Sequence, residues 1–370
     1  RHTINTEDEF YDKEKEFYDE NLPLLQNLNF EFYKAFVASK FRKELEEKLG
    51  SLLFRNAELE LKAFDPKIIP DLQEENKLVS EYVKLMASAQ LDIDGKKVNL
   101  SQLRFYMESP DRNIRKEAFK KRTEFFSENG EKFDEIFDKL VKVRTAMAKK
   151  LGFEDFVELG YIRMRRNCYG PDDVAAFKEE VKKYMVPLSL RIQEKKKKML
   201  GLEKITVIDQ LLYFREGNPN PKGTPEEIFE NGKKMYDELS KETSEFFRFM
   251  LENDLLDCLS RKGKAPGGYM TFIPDYKSPF IFANFNGTSG DIDVLTHEAG
   301  HALNGYLAKD IDIYEYASPT YEACEVHSMS MEFFTMPWMK LFFGDRTEEY
   351  KYMHLAEALI FIPYGCAVDE

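Results

Sequence analysis

The sequence predicts a mainly α-helical protein in which one small β-hairpin leads directly into a helix. Three observations carry the prediction. Apolar residues return at steps of three and four over most of the first 250 positions, prolines stand where helices open, and the texture changes abruptly near Gly263. A chain of 370 residues exceeds a typical single domain, so a large core, or two lobes sharing a cleft, is expected. We divide it into helical lobes over residues 1–250 and a segment over residues 251–370 that holds the hairpin and the helices after it.

Over residues 6–49, Phe10, Phe17, Leu24, Leu25, Leu28, Phe32, Phe36, Phe41 and Leu45 form one apolar stripe among charged residues, which predicts helix interrupted near Pro23. The pattern resumes over residues 72–91, breaks at the turn-like Asp94-Gly95 and restarts after Ser101. It then runs over residues 113–150 and stops near Gly152. Helices are predicted over residues 171–200 and 225–251, each opened by a proline suited to a first helical turn. Past Gly263, Pro266, Gly267 and Gly268 comes the aromatic and β-branched run Tyr269-Met270-Thr271-Phe272-Ile273. Pro274-Asp275 then turns the chain into Phe280-Ile281-Phe282-Ala283-Asn284-Phe285, which completes a hairpin. Asn286-Gly287-Thr288-Ser289-Gly290 reads as a flexible turn, and a helix is expected from about Asp291. No internal repeat is found.

Composition narrows the partners. With 54 Lys and Arg against 67 Asp and Glu, the formal net charge is -13, which disfavours nucleic acid and anionic membrane surfaces. The basic run at 195–198 sits in a helical pattern and reads as a solvated face. Cys168, Cys258, Cys324 and Cys366 are far apart and unpaired in spacing, so neither disulfides nor a Cys-ligated metal is expected, and a reducing, cytoplasmic setting fits. The longest apolar stretches fall short of the roughly 20 residues that cross a bilayer, and no signal pattern opens the chain, so a soluble protein is expected. Arg1 at the start, and Ala367-Val368-Asp369-Glu370 directly after an apolar segment, read as cut ends of a fragment.

His297-Glu298-Ala299-Gly300-His301 carries the chemistry. Residues four apart share a helix face, so the two imidazoles can converge on one metal ion while Glu298 projects beside them as a general base. With only five histidines in the chain, a random match has a chance of about 1 in 100 or less. A bland surface helix is disfavoured, because Gly300 costs about 1 kcal/mol relative to Ala and the flanks Val294, Leu295, Ala302 and Leu303 are apolar. A catalytic zinc needs three protein ligands, and the third must come from elsewhere. Glu325 is the first choice, since Ser328, Met329 and Glu332 share its face in the helical stretch after Thr320. Glu322, on that same face one turn earlier, is the main rival; Glu315 and His327 are weaker candidates. Asp293 and Glu332 are expected to accept the remote N–H of the imidazoles.

These residues resemble the thimet oligopeptidase and oligoendopeptidase F group of zinc peptidases, most of all oligoendopeptidase F. The resemblance rests on Pro279-Phe280-Ile281-Phe282-Ala283-Asn284-Phe285-Asn286-Gly287-Thr288, on the motif helix from Asp293 to Ala302, and on Glu325-Val326-His327-Ser328-Met329-Ser330-Met331-Glu332. Ser109-Pro110-Asp111-Arg112-Asn113-Ile114-Arg115 and Tyr161-Ile162-Arg163-Met164-Arg165 add to it more weakly. It implies a two-lobed helical channel with a small sheet beside the metal, one Zn²⁺ per chain held by His297, His301 and Glu325, and short peptides as substrates. Such peptides can add as a strand to a sheet edge, and we expect Phe282, Ala283, Asn284 and Phe285 to form that wall. Family members also supply a tyrosine, often with a histidine, from beyond the point where this chain stops. Tyr269, Tyr306, Tyr314, Tyr316 and His327 are not assigned that role. The expected activity is a zinc-dependent metalloendopeptidase; the alternatives are a zinc carboxydipeptidase and a catalytically incomplete peptide-binding fragment.

Overall fold

The computed structural model describes residues 1–368; Asp369-Glu370 at the predicted cut end, and the side chains of Tyr314, Cys366, Ala367 and Val368, lie outside that description. The first half is helical: α1 Glu9–Val37, α2 Arg42–Leu49, α3 Ser51–Ala63 and α4 Ile69–Ala87, then α5 Leu100–Met107, α6 Arg112–Glu128, α7 Gly130–Leu151 and α8 Phe156–Arg163. A two-stranded hairpin, β1 Leu91–Ile93 and β2 Lys96–Val98, separates α4 from α5. After α9 Pro171–Glu180, α10 Val186–Leu200, α11 Pro225–Leu239 and α12 Lys241–Glu252 comes the sheet of β3 Leu256–Leu259, β4 Tyr269–Ile273 and β5 Ser278–Phe285. The chain closes with α13 Gly290–Ala308, α14 Tyr314–Ala317, α15 Tyr321–Phe334, α16 Lys340–Phe343 and α17 Thr347–Val368. The mainly α fold with a small sheet is therefore as predicted.

Several predicted boundaries move, each for a local reason. Pro23 does not interrupt α1 but lies buried inside it. Its missing N–H would leave the Asp19 carbonyl orphaned, and Asn76 Nδ2 of α4 donates to that oxygen at 3.1 Å while Gln73 Nε2 serves Glu20 O at 2.7 Å. Leu91 leaves the predicted helix for β1, because Asp94 and Gly95 both adopt positive φ, 50° and 71°, the turn that joins two strands through two residues. The stretch predicted over 113–150 is two helices broken at Asn129, and that over 225–251 is two helices broken at Ser240, whose side chain caps α12 in a capping box with Thr243. The run 171–200 contains a π-helical turn at Val181–Met185, just before Pro187. In the basic run, Lys196 is buried rather than solvated, 1% exposed, with its Nζ bonded to Gln210 O and 3.9 Å from the Tyr213 ring centre.

The sheet order is β3-β5-β4: β5 pairs parallel with β3 and antiparallel with β4. The hairpin is as predicted, but β3 was not foreseen, and it makes β5 the central strand. Lys264 binds across it: its fully buried Nζ donates to Asp257 O, Asp257 Oδ1, Leu259 O and Ala283 O, tying β3 to β5 where their register slips. The largest core joins α11 and α12 to β5 and α13, with Met235, Phe246, Ile281, Ile292, Leu295 and Ala299 wholly buried. Burying each large side chain stabilises by about 1.5–3 kcal/mol. Because Ile292, Leu295, Ala299 and Ala302 all face this core, the roll of α13 is fixed, and His297 and His301 are turned to the opposite side.

Candidate metal centre

Two helices packed against each other supply the donors. His297 and His301 stand one turn apart on α13, and Glu325 stands on α15, whose backbone is pressed against Gly300. The Glu325 Oε2 atom lies 3.1 Å from His297 Nε2 and 3.7 Å from His301 Nε2, and the three donor atoms fall within 4.8 Å of one another. Donors about 2.0–2.1 Å from a tetrahedral ion sit roughly 3.3 Å apart, so a zinc-sized ion fits these residues. Ser328 Oγ donates to Glu325 Oε2 at 2.8 Å and aims that carboxylate. The rivals point elsewhere: Glu322 pairs with Arg166 at 2.7 Å, Glu315 accepts from Tyr33 Oη at 3.1 Å, and His327 Nε2 contacts His301 Nδ1 at 3.1 Å.

Behind the donors lies a buried polar chain. His297 Nδ1 meets Glu332 Oε1 at 2.6 Å. Asp293 does not reach a motif imidazole; it accepts from Tyr350 Oη at 2.6 Å and pairs with His354 Nδ1 at 3.1 Å. His354 Nε2 in turn lies 3.1 Å from Glu332 Oε2, so His354 bridges the two carboxylates. Burial alone lowers the His354 pKa, but Asp293 and Glu332 override it and push it up to about 10. Tyr350 and His354 were missed from the sequence, since nothing in an apolar helix near the chain end marks them as partners of α13. Each imidazole of this site thus has its second nitrogen held, the arrangement that fixes ring orientation for a metal.

Glu298 is 7% exposed, and its Oε2 is buried without a hydrogen-bond partner. Burial pushes its pKa up to about 7, while a backbone hydrogen bond from Met270 works the other way. A cavity of about 550 Å³ opens over the site, lined by Gly268, Tyr269, Met270, His297, Glu298, His301 and Glu325 among others. Its sheet-side wall is β4, not β5. Phe282 and Ala283 are fully buried and Phe285 nearly so, and Asn284 uses its Nδ2 on Ala265 O and Gly267 O, both at 2.9 Å. The expected peptide wall on Phe282, Ala283, Asn284 and Phe285 does not line this cavity: no residue of β5 does, and the strand edge beside it belongs to β4.

Two histidines one helical turn apart, a converging glutamate and a buried carboxylate beside them form the arrangement of a metallopeptidase. The chain belongs to peptidase family M3: the model of that family matches residues 105–360, and the model of the M3 N-terminal domain matches residues 1–64. It is 24% identical over 226 residues to an oligoendopeptidase F homolog of Lactococcus lactis subsp. lactis, covering 61% of this chain and 36% of that one. It is 23% identical over 244 residues to group B oligopeptidase PepB of Streptococcus agalactiae, covering 64% and 39%. Among solved structures, PZ peptidase A with an inhibitor superposes with a TM-score of 0.99 at 56% identity, covering 100% of this chain and 66% of its own. A Bacillus anthracis structure described as an oligoendopeptidase F gives 0.99 at 51% identity, covering 100% and 68%. The chain thus spans under two fifths of the curated relatives it matches and about two thirds of these solved neighbours. Among the described residues no helix is long and apolar enough to cross a membrane.

Proposed function

We propose that this chain carries the catalytic centre of a zinc-dependent endopeptidase acting on short peptides. The observation that carries the reading is the convergence of His297, His301 and Glu325 within 4.8 Å, with the unpartnered Oε2 of Glu298 buried at the same cavity. Zinc held by those three residues supplies Lewis-acid polarisation of a peptide carbonyl and acidifies water. Glu298 Oε2 takes the proton from the attacking water and returns it to the leaving amine. The Glu332 carboxylate holds His297, and Ser328 holds Glu325, so the donors need little rearrangement to bind. An extended peptide pairs with the open edge of β4, where Tyr269 and Met270 face the cavity, and its backbone is thereby laid across the donors.

The test compares the parent with Glu298→Gln, each with its zinc content measured, on an internally quenched peptide with both ends blocked. We expect equal zinc, and a rate lower by at least about 10²-fold in the variant. Equal rates at equal zinc would falsify the role of Glu298. Products released only from peptides with a free C-terminus would favour a carboxydipeptidase instead.

A further inference from the structure

The loop Met164-Arg165-Arg166 after α8 takes no part in the metal centre, yet it is built with care. Arg165 has a left-handed backbone, φ 57°, uncommon for a residue with a side chain and concentrated at functional positions. The chain around it is locked: Arg165 N donates to Ile162 O at 2.9 Å and Arg166 N to Tyr161 O at 3.2 Å. Arg166, nearly fully buried, pairs with Glu322 of α15 and lies 4.3 Å from the Tyr161 ring centre. The loop is thus fastened to the helix that carries Glu325.

Arg165 itself reaches the other way. It lines the cavity over the metal centre, a second cavity of about 320 Å³ against Asn29 and Tyr33 of α1, and a small one against Glu60 and Glu315. Its side chain therefore stands where three spaces meet. It is the only Lys or Arg among the residues lining the metal cavity, whose other charged groups are Glu298 and Glu325. Its ion pair among the described residues is long and wet: Nε lies 3.5 Å from Glu60 Oε1, with the two side chains 51% and 43% exposed. The two terminal amino groups make no hydrogen bond among the described residues, so the planar fork is open.

We propose that Arg165 anchors a carboxylate of the bound peptide. A guanidinium fork matches a carboxylate through two parallel hydrogen bonds, and an exposed single-contact pair such as that with Glu60 is worth little and is readily exchanged. The carboxylate has two sources, the C-terminus of a short peptide or an Asp or Glu side chain along it. Either one fixes how far the peptide threads past the donors, which makes Arg165 a specificity determinant. This inference rests on the peptidase reading above.

Binding is measured on zinc-loaded Glu298→Gln protein with one short peptide as free acid, as C-terminal amide, and as amide bearing an internal Glu. The free acid or the Glu-bearing amide is expected to bind at least about tenfold more tightly than the plain amide; which one does identifies the source. Arg165→Gln should abolish the gap, and Arg165→Lys, which keeps the charge and loses the fork, should lose most of it. In the cleaving parent the same gap should appear in KM and not in kcat. A parent without any gap, or Arg165 variants that weaken all three peptides equally, overturns the proposal. Selective binding with no cleavage by the parent would sink the catalytic reading and leave the anchor standing, whereas no binding of any of these peptides overturns both.

Discussion

Gly300 shows how closely the two donor helices are pressed together. A Cβ there would stand 2.6 Å from Ser328 Cα and 2.8 Å from His327 O, backbone atoms with no freedom to yield. Gly300→Ala gains about 1 kcal/mol of helix propensity, but overpacking costs typically about 1–3 kcal/mol. We expect net destabilisation and a lower zinc-to-protein ratio, read by urea denaturation and metal analysis; a stabilised variant with full zinc would remove the close approach as an explanation. Glu332→Ala should weaken zinc binding about 10–100-fold by releasing His297, measured by competition with a chromophoric chelator. Unchanged affinity would mean that Glu332 does not orient the ring. At this scale the motif was legible, because a four-residue spacing alone places His297 and His301 together. The choice between Glu322 and Glu325 was not: both lie on one face of α15, and what separates them is Arg166, 156 positions before Glu322, which claims it.

Between elements, Asp209 fastens α6 to the chain that follows α10. It is fully buried and takes Arg112 at 3.1 Å and Arg115 at 2.9 Å, with Thr206 donating to its other oxygen at 2.7 Å. Burial alone raises its pKa, but the bonds from Arg112, Thr206 and Arg115 outweigh this and hold it well below the usual carboxylate range. A depressed carboxyl stabilises fully above its unfolded value of about 3.9, and that stability is lost as pH falls through the folded value. Asp209→Asn should therefore cost about 3–5 kcal/mol at pH 7, with the gap from the parent narrowing below about pH 4. Denaturation midpoints across that range check it; a gap independent of pH would refute the charge assignment. The Ser109–Arg115 motif thus finds its partner nearly a hundred positions on, beyond the reach of local pattern. Pro23 was misread for the same reason, since Asn76 supplies the bond that makes it tolerable. The strands β1, β2 and β3 escaped because three or four residues carry too little alternation to stand out from a helix end.

For the whole molecule, the proposed zinc would take ligands from two elements, α13 and α15, and so act as a clamp on the fold. Zinc that binds only the folded state stabilises by RT ln(1 + [Zn]/Kd), about 2.7 kcal/mol at a hundredfold excess over Kd. A chelator should lower the thermal midpoint and zinc should restore it, whereas His301→Ala protein should respond to neither. Equal responses in both proteins would place the ion elsewhere. The mainly helical architecture was legible throughout, because long stretches hold one period. The open edge at the cavity was not, since deciding between β4 and β5 required knowing that β3 pairs on the far side.

That pairing has a chemical consequence for Lys264. Its ammonium is wholly enclosed by four oxygens from Asp257, Leu259 and Ala283 and lies 4.5 Å from the Phe282 ring centre. An amine-directed acylating reagent can reach it only when β3 separates from β5. Lys264 is then a built-in timer: in a pulse-labelling experiment read by peptide mass spectrometry, its acylation should lag far behind that of exposed lysines such as Lys262, and the lag reports how often the strand under the donor helix opens.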